Sequence, residues 1–464
     1  MTSTFHGLEM GKRSLFTQQT AITTTGQNIS NANTKGYSRQ RVNMSATNPI
    51  DYNYGRQSLT PSQLGTGVTV DSITRVKEHY LDDQFRDRQS SLGEWSVQQD
   101  TLSQLEEITN EPGENGLSGA FNRFWTAWDQ LANDPESAGA REEVVSKATD
   151  LISQAQEIGH SMDSLKKTLD TQKDLLLKEA AGYLKEIDVL NKEISKSPNS
   201  NDLKDRRDTL IDNLSAMMDV EVSGNQNGTL VLSNNGVALP MSGKPDDFNG
   251  MAITGGKITG IAEAKDDLQA YQDELNTMFY RLANGHQFTD EAGNPVTVKG
   301  LNELHKAGYL LDGSQSGEDF FKMDSTATET NVLESLSLNS TLANNATLIA
   351  ASSKANTIGN GDIAKQMNAL KDSDYDSSGV SFQEKHNALV TGLGSKSQSA
   401  ARMAENDRVV LQSIENHRQS ISGVSLDEEM ANLIQFQHAY NAAARFITTT
   451  DELLDTVINR MGAR

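Results

Sequence analysis

Residues 425–461 read SLDEEMANLIQFQHAYNAAARFITTTDELLDTVINRM, and this stretch decides the fold. Apolar residues recur in it at alternating steps of four and three, a spacing that keeps one side of a helix against a partner helix. The apolar positions of this seam are Leu426, Met430, Leu433, Tyr440, Ala444, Ile447, Leu454, Ile458 and Met461. The stretch predicts a coiled-coil helix, and Ser425 with Glu428 has the capping-box spacing that fixes where the helix begins.

The N-terminal end carries a matching signal, in which Leu8, Leu15, Ile22 and Ile29 recur every seventh residue. This spacing predicts one amphipathic helix over residues 3–32, ended by the Asn- and Ser-rich residues that follow. The first 41 residues are basic and the C-terminal stretch is acidic, so opposite charges favour pairing of the two ends. A basic start rich in Ser and Thr also fits an organellar transit peptide, although the heptads at both ends favour a retained helix.

Composition excludes several classes of function. The net charge of −22 argues against nucleic acid and anionic membranes as partners, and the absence of cysteine excludes disulfides and thiolate chemistry. No apolar run approaches the length of a membrane-spanning helix, and the first 30 residues lack the apolar core of a secretory signal. We therefore expect a protein that is cytosolic or exported by a route that reads no such signal.

The middle of the chain predicts a mostly α fold with an inserted β-rich, mixed domain. A four-three rhythm of about 55 residues from Val144 and a return helix from Leu203 predict a long antiparallel helical rod. Gly- and Asn-rich sequence then predicts strands at 220–222, 229–232 and 257–261, with a hairpin turn at Asn227-Gly228 and helices again from about 330. The predicted domains are a terminal coiled-coil assembly domain (1–38 with 425–464), a helical rod domain (39–218 with 328–424) and an inserted outer domain (219–327).

No catalytic, cofactor-binding or metal-binding residue is predicted. The eight histidines are scattered. The Gly-rich segment 392–397 lacks the spacing of a phosphate-binding loop. The acidic segment 372–376 lacks the turn glycine and the bidentate glutamate of a calcium loop. The aromatic cluster around Trp125 and Trp128 is typical of a core.

Several motifs resemble those of flagellar axial proteins. The sequence NISNANTKGYSRQ at 28–40 resembles their N-terminal signature, GTGV at 65–68 with Ile73 and Arg75 resembles their next shared block, and residues 422–440 resemble their C-terminal signature. The middle of the chain distinguishes between the subfamilies of axial proteins. Asn302-Glu303-Leu304-His305, the glycines and Phe320-Phe321 that follow, and Asp205-Arg206-Arg207-Asp208 resemble the hook-associated protein 1 family.

This resemblance implies a structural axial protein at the junction between the flagellar hook and filament, outside the cell. It implies a ring of copies, with hook protein on one side, the second junction protein on the other, and an export chaperone that holds the C-terminal helix beforehand. It also implies export through the flagellum's own type III apparatus without a cleaved signal peptide, and no cofactor. A hook or rod protein is the nearest alternative. A surface-displayed binding module and an enzyme, each using residues 219–327, are more distant ones.

For the assembly interface we select Leu8, Leu15, Ile22, Ile29, Met430, Leu433, Tyr440, Ile447, Leu454, Ile458 and Met461. Because the seam residues of a two-helix pair bury too little to offset the ordering of both ends, we expect the ends to be largely disordered in the monomer and to fold on assembly. On this view Ile447→Asp leaves the monomer's melting unchanged and blocks incorporation.

Overall fold

We describe the protein from a computed structural model, which covers residues 5–52, 62–111, 113, 115–224, 228–290 and 293–460. It is 65% helical, with a few small sheets. The α-helices are α1 (His6–Ser30), α2 (His79–Thr109), α3 (Leu117–Asn133), α4 (Ala138–Lys196), α5 (Asn201–Ser215), α6 (Gly256–Asn284), α7 (Leu301–Ala307), α8 (Ser340–Asn344), α9 (Asp362–Ala369), α10 (Phe382–Ser422) and α11 (Leu426–Asp455). Among the described residues, none of these helices is both long and apolar enough to span a membrane.

The strands are short and pair in antiparallel fashion. They are β1 (Gln40–Ala46), β2 (Ile50–Tyr52), β3 (Ser62–Leu64), β4 (Val68–Arg75), β5 (Glu221–Gly224), β6 (Leu230–Asn234), β7 (Val237–Ala238), β8 (Gly285–Thr289), β9 (Pro295–Lys299), β10 (Phe321–Lys322) and β11 (Ser337–Leu338). β5, β6 and β7 form a three-stranded sheet; the others pair as β1–β4, β2–β3, β8–β9 and β10–β11. The mostly α fold with small inserted sheets is the predicted class.

The chain packs into two compact units. Unit 1 holds Met1–Ser91, Leu177–Gly256 and Asp407–Arg464, and unit 2 holds Leu92–Leu176 and Lys257–Asn406. This division differs from the predicted one, since both chain ends share unit 1 with part of the predicted rod and residues 219–327 are divided between the units. Whether 219–327 acts as an outer domain in the assembled structure stays a prediction.

In unit 1, β1 and β4 form a ladder that runs from Gln40 opposite Arg75 to Ala46 opposite Val68. The predicted return helix is α5, which follows α4 after a short turn. The C-terminal part of α4 and α5 bury apolar side chains that form the core here, among them Leu184, Ile187, Ile194, Ile211 and Leu214.

Unit 2 is built on an aromatic core. Helix α3 buries Phe121, Phe124, Trp125 and Trp128, and the rings of Phe124 and Trp128 meet edge to face with centroids 6.2 Å apart. The prediction that the tryptophan cluster belongs to a core is confirmed.

His305, part of the predicted family motif, is fully buried in unit 2. Its Nε2 accepts a hydrogen bond from the Ala350 amide at 3.1 Å, and its Nδ1 lies 2.8 Å from the Glu318 carbonyl oxygen. A ring nitrogen that accepts and one that donates define the neutral tautomer. Burial lowers the pKa of this imidazole, which fits a structural histidine.

Two predictions of secondary structure are wrong. Residues 257–261 are not a strand, because Ile258 and Ile261 lie three residues apart on the buried side of α6 and not on one face of a ladder. From 330 to 361 the chain is mostly irregular, with α8 and short 3-10 turns, so longer helices resume only with α9. Asn227 of the predicted hairpin turn lies outside the described residues.

Candidate assembly surface

The two terminal helices pair with each other inside one chain. Asn28 Nδ2 donates to Glu429 Oε2 at 2.9 Å at one end of the pair. Toward the other end, a methyl group built on Gly11 would lie 2.5 Å from Ile447 Cγ1, and one on Gly7 would lie 3.0 Å from Thr450 Cγ2. Rising numbers on α1 thus meet falling numbers on α11, so the pair is antiparallel.

The structure pairs the two ends within one chain, and disorder of both ends in the free monomer stays a prediction. That expectation treated the ends as an isolated two-helix pair, whereas α1 also packs on the β1–β4 ladder. Thr17 Oγ1 donates to the Val68 carbonyl at 3.4 Å, and a methyl group on Gly67 would lie 3.1 Å from Met10 Cγ. These contacts give the terminal pair support from the body of unit 1.

On α1 the contact row differs from the predicted stripe. Leu8, Leu15, Ile22 and Ile29 are all only half-buried. Gly7, Gly11 and Asn28 contact α11. Helical spacing places them in a second four-three row of mostly small side chains: Gly7, Gly11, Ser14, Gln18, Ala21, Thr25 and Asn28. Small residues at that spacing let two helix backbones approach closely, so this row was the signal that reasoning from apolar residues missed.

On α11 the predicted seam is rotated. Leu433, Tyr440, Ile447 and Leu454 are half-buried, as one half of the heptad prediction requires. Met430 and Ile458, from the other half, are 48% and 62% exposed. The buried or half-buried neighbours are instead Glu429, Phe436, Ala443 and Thr450. Met461 lies outside the described residues.

Large apolar side chains of both helices and of the residues next to them are exposed, although Phe446 also contacts Gly11. The exposed ones are Phe5, Phe16, Leu426, Met430, Ile434, Phe446, Leu453, Val457 and Ile458. Leu426, Met430 and Ile434 are spaced by four residues, so they form one strip along the first turns of α11. Exposed apolar surface that is contiguous on a helix marks a site of association. We call these three residues the α11 strip.

A buried hydrogen-bond cluster holds the α1 end to the rest of unit 1. Asn28 Oδ1 accepts from the Gln40 amide at 3.0 Å and from Tyr37 Oη at 2.9 Å, and its Nδ2 donates to the Gln40 carbonyl at 2.9 Å as well as to Glu429. All four positions of the Asn28 amide are thus satisfied. We call Asn28, Tyr37, Gln40 and Glu429 the Asn28 junction.

The Asn28 junction continues into α5. Gln40 Nε2 donates to Asp202 Oδ1 at 2.9 Å, and the Ser38 amide donates to Asp205 Oδ2 at 3.0 Å. Burial, followed by the negative charges of Asp202 and Asp205, raises the pKa of Tyr37 to about 12. Tyr37 therefore stays a neutral donor throughout the physiological range.

The next shared block and the Asp205–Asp208 motif meet in an alternating chain of charges. Arg75 contacts Asp205 and Asp208, both at 2.8 Å, and Lys77 contacts Asp208 at 2.7 Å. The alternation continues from Lys77 to Asp82, Arg418, Asp212 and Arg86. The charges of Lys77 and Arg75 outweigh the cost of burial and hold the pKa of Asp208 well below its usual range.

The start of α11 is fixed by side-chain and backbone contacts. Ser425 is the N-cap, and its hydroxyl accepts from the Glu428 amide, which confirms the predicted start. Arg39 Nη1 contacts Glu428 Oε2 at 2.6 Å, and the Arg39 amide donates to the Ser422 carbonyl at 2.8 Å. The N-terminal signature therefore contacts the C-terminal one directly.

Comparison with known proteins identifies the chain. Flagellar hook-associated protein 1 of Bacillus subtilis is 32% identical to it over 100% of this chain and 99% of its own length. The chain belongs to the flagellar hook-associated protein 1 family. The corresponding protein of Salmonella typhimurium is 23% identical over 95% of this chain and 97% of its own length.

Domain and structure comparisons agree with the flagellar hook-associated protein 1 family. Residues 102–248 match the flagellar hook-associated protein FlgK helical domain, and residues 416–461 match the C-terminal region of the flagellar basal body rod FlgEFG proteins. The structure of the flagellar hook junction protein FlgK from Burkholderia pseudomallei shares the fold, with a TM-score of 0.58 and 13% identity over 73% of this chain and 100% of that one. As a member of the family, the chain is a structural axial component of the flagellum at the hook–filament junction.

Among the described residues, no three His, Asp or Glu side chains are grouped as a metal site would require. The prediction of a structural role rests on the family and on the shape of unit 1, and not on this absence.

Proposed function

We propose that copies of this chain assemble into a ring at the hook–filament junction through the outer side of their terminal helix pairs. In this proposal hook protein lies on one side of the ring and the second junction protein on the other. An export chaperone covers the C-terminal helix beforehand, and export uses the flagellum's own type III apparatus.

The observation that carries the proposal is the α11 strip. Inside unit 1 the rows that face α1 are already covered, yet Leu426, Met430 and Ile434 project from a helix whose other side is occupied. Apolar side chains in a helical row fit a groove or a second helix of another chain. A chaperone that covers this strip before assembly would also prevent premature association.

The structure changes the variant that best tests this proposal. Ile447 contacts Gly11 of the same chain, so the predicted Ile447→Asp would disturb the monomer itself. Met430→Asp introduces the same charge into the α11 strip instead. A matched control is Val409→Asp, because Val409 is 60% exposed on α10, outside the terminal pair.

The experiment measures addition of the purified chain to isolated hook ends. We expect Met430→Asp to leave the free energy of unfolding within about 0.5 kcal/mol of the parent, as exposed substitutions do, and to abolish addition. Val409→Asp should add as the parent does. Normal addition of Met430→Asp would show that the α11 strip is not the assembly surface.

A further inference from the structure

The contacts of the terminal pair repeat every seven residues. On α11 the inner rows repeat as Glu429, Phe436, Ala443 and Thr450 and as Leu433, Tyr440, Ile447 and Leu454. The inner row of α1 has the same period. Seven residues of helix rise about 10.5 Å. A shift of one helix by this distance would again place row against row, so the spacing of the rows alone does not define a single register.

The Asn28 junction breaks this repetition. Asn28 is 1% exposed and Glu429 is 3% exposed, and they are joined by a direct hydrogen bond of 2.9 Å. One heptad along α1 from Asn28 stands Ala21, and one heptad along α11 from Glu429 stands Phe436. Neither side chain offers a polar group. A shift in one direction would place Glu429 against Ala21, and a shift in the other would place Asn28 against Phe436, so either shift leaves a buried polar group without its partner.

We infer that the Asn28–Glu429 hydrogen bond determines the register of the two terminal helices. Asn28 acts as a positioning residue, since a single buried polar contact in a heptad seam selects one register at some cost in stability. The inference extends the proposed assembly, because the register decides which exposed apolar side chains of the two helices lie side by side.

Contacts with the rest of unit 1 also restrain the register, since α1 packs on the β1–β4 ladder and Arg39 holds the start of α11. Two further features could set the register, and the test must separate them. Only Gly423, Val424 and Ser425 lie between α10 and α11, so a shift must also unwind a turn near this connection. The close approach of Gly11 to Ile447 is specific to the observed register as well. If either feature were sufficient, removing the Asn28–Glu429 bond would leave the register unchanged.

Engineered disulfides measure the register directly, because the chain has no cysteine of its own. The pair Gly7→Cys with Thr450→Cys reports the observed register, in which a Cβ on residue 7 lies 3.0 Å from Thr450 Cγ2. Gly7→Cys with Ala443→Cys and Ser14→Cys with Thr450→Cys report shifts of one heptad in either direction. Cross-linking is followed in the dilute isolated chain, so the result does not depend on the proposed partners.

The decisive variant is Asn28→Leu combined with Glu429→Leu. It also removes the hydrogen bonds of Asn28 with Gln40 and Tyr37 and therefore lowers stability, so its control must lose buried hydrogen bonds as well. We expect its circular dichroism to match that of the parent and its shifted cysteine pairs to cross-link at least tenfold more than in the parent. The matched control is Asn191→Leu, which removes another buried amide of unit 1 that binds Leu230 and Arg207. It should cross-link only between positions 7 and 450.

Conservative substitutions at positions 28 and 429 provide a second test of the register. This test remains valid if the double leucine variant does not fold. Asn28→Asp alone places two carboxylates in contact and should give shifted cross-links. Adding Glu429→Gln restores a donor opposite position 28 and should return cross-linking to positions 7 and 450. Cross-linking confined to positions 7 and 450 in the leucine and aspartate variants would overturn the inference. Shifted cross-links in Asn191→Leu at the same level as in the double leucine variant would overturn it as well. So would a failure of Glu429→Gln to restore the parent cross-linking pattern in Asn28→Asp.

Discussion

Replacing Gly11 by alanine has two opposite effects on the stability of the terminal helix pair, one on helix propensity and one on packing. Alanine favours a helix over glycine by about 1 kcal/mol. The new methyl group, however, would lie 2.5 Å from Ile447 Cγ1 and 3.2 Å from both Ile447 Cδ1 and Phe446 Cδ1. Since carbon atoms in contact prefer about 3.5–4.0 Å, either the Ile447 side chain must rotate or the two helices must separate by about 1 Å.

The steric effect should exceed the gain in helix propensity. Overpacking of a tight contact costs about 1–3 kcal/mol, so we expect Gly11→Ala to weaken the terminal pair by about 1 kcal/mol net. Gly26 lies on the same helix, and a methyl group there meets nothing within 4 Å. Gly26→Ala should therefore stabilise α1 by about 0.5–1 kcal/mol.

Amide hydrogen exchange of α1 is the appropriate assay, because it reports local opening and not only global unfolding. A difference of about 2 kcal/mol between the two variants corresponds to roughly a thirtyfold difference in the opening equilibrium of α1. Adding Ile447→Ala to Gly11→Ala should recover part of the loss, since it removes the two close atoms of Ile447 and leaves only Phe446 Cδ1. Equal slowing of exchange by Gly11→Ala and Gly26→Ala would refute the close approach of the helices.

Three further predictions concern the two units. Burial lowers the pKa values of His305 and His386, so the unfolded state takes up protons first as the pH falls. The stability of unit 2 should therefore be complete above about pH 6.5 and decline below it, by about 1.4 kcal/mol for each unit of pKa depression. Denaturant melts that are identical at pH 7.5 and 5 would contradict this. Asp208→Asn removes the carboxylate shared by Arg75 and Lys77 and should lower the free energy of unfolding of unit 1 by about 3–5 kcal/mol in denaturant melts. Asp71→Asn at an exposed site should lower it by less than about 0.5 kcal/mol. Equal effects would show that the charge chain is not stabilising. Removing residues 1–32 and 425–464 should reduce the circular dichroism signal by the 25 residues of α1 and the 30 of α11, and an unchanged molar signal would mean that the free chain does not form the pair.

Local patterns in the sequence were sufficient to predict the terminal helices but not to predict which of their residues contact each other. The heptads predicted both terminal helices, and Ser425 predicted where α11 begins. Apolar spacing alone misplaced the seam, because the closest contact between the helices is at Gly7 and Gly11. These residues allow the close approach because they have no side chain. A pattern search that weights only apolar residues cannot detect such a row.

The Asn28 junction and the charge chain illustrate a second limit. Their members come from parts of the sequence that are far apart, such as Asn28 and Glu429, and each looks like an ordinary polar residue in isolation. The family signatures indicated which residues matter, but not that they contact one another. That pairing depends on tertiary structure, which periodicity does not encode.

Unit 1 contains both the first and the last helix of the chain, and these two helices bind each other. A polypeptide that emerges from any narrow passage one end at a time cannot complete this contact until its final residues are free. Whichever helix is released first keeps its inner row uncovered while the nearly four hundred residues between Ser30 and Leu426 follow. The pair of terminal helices therefore forms only after the residues between them have been released.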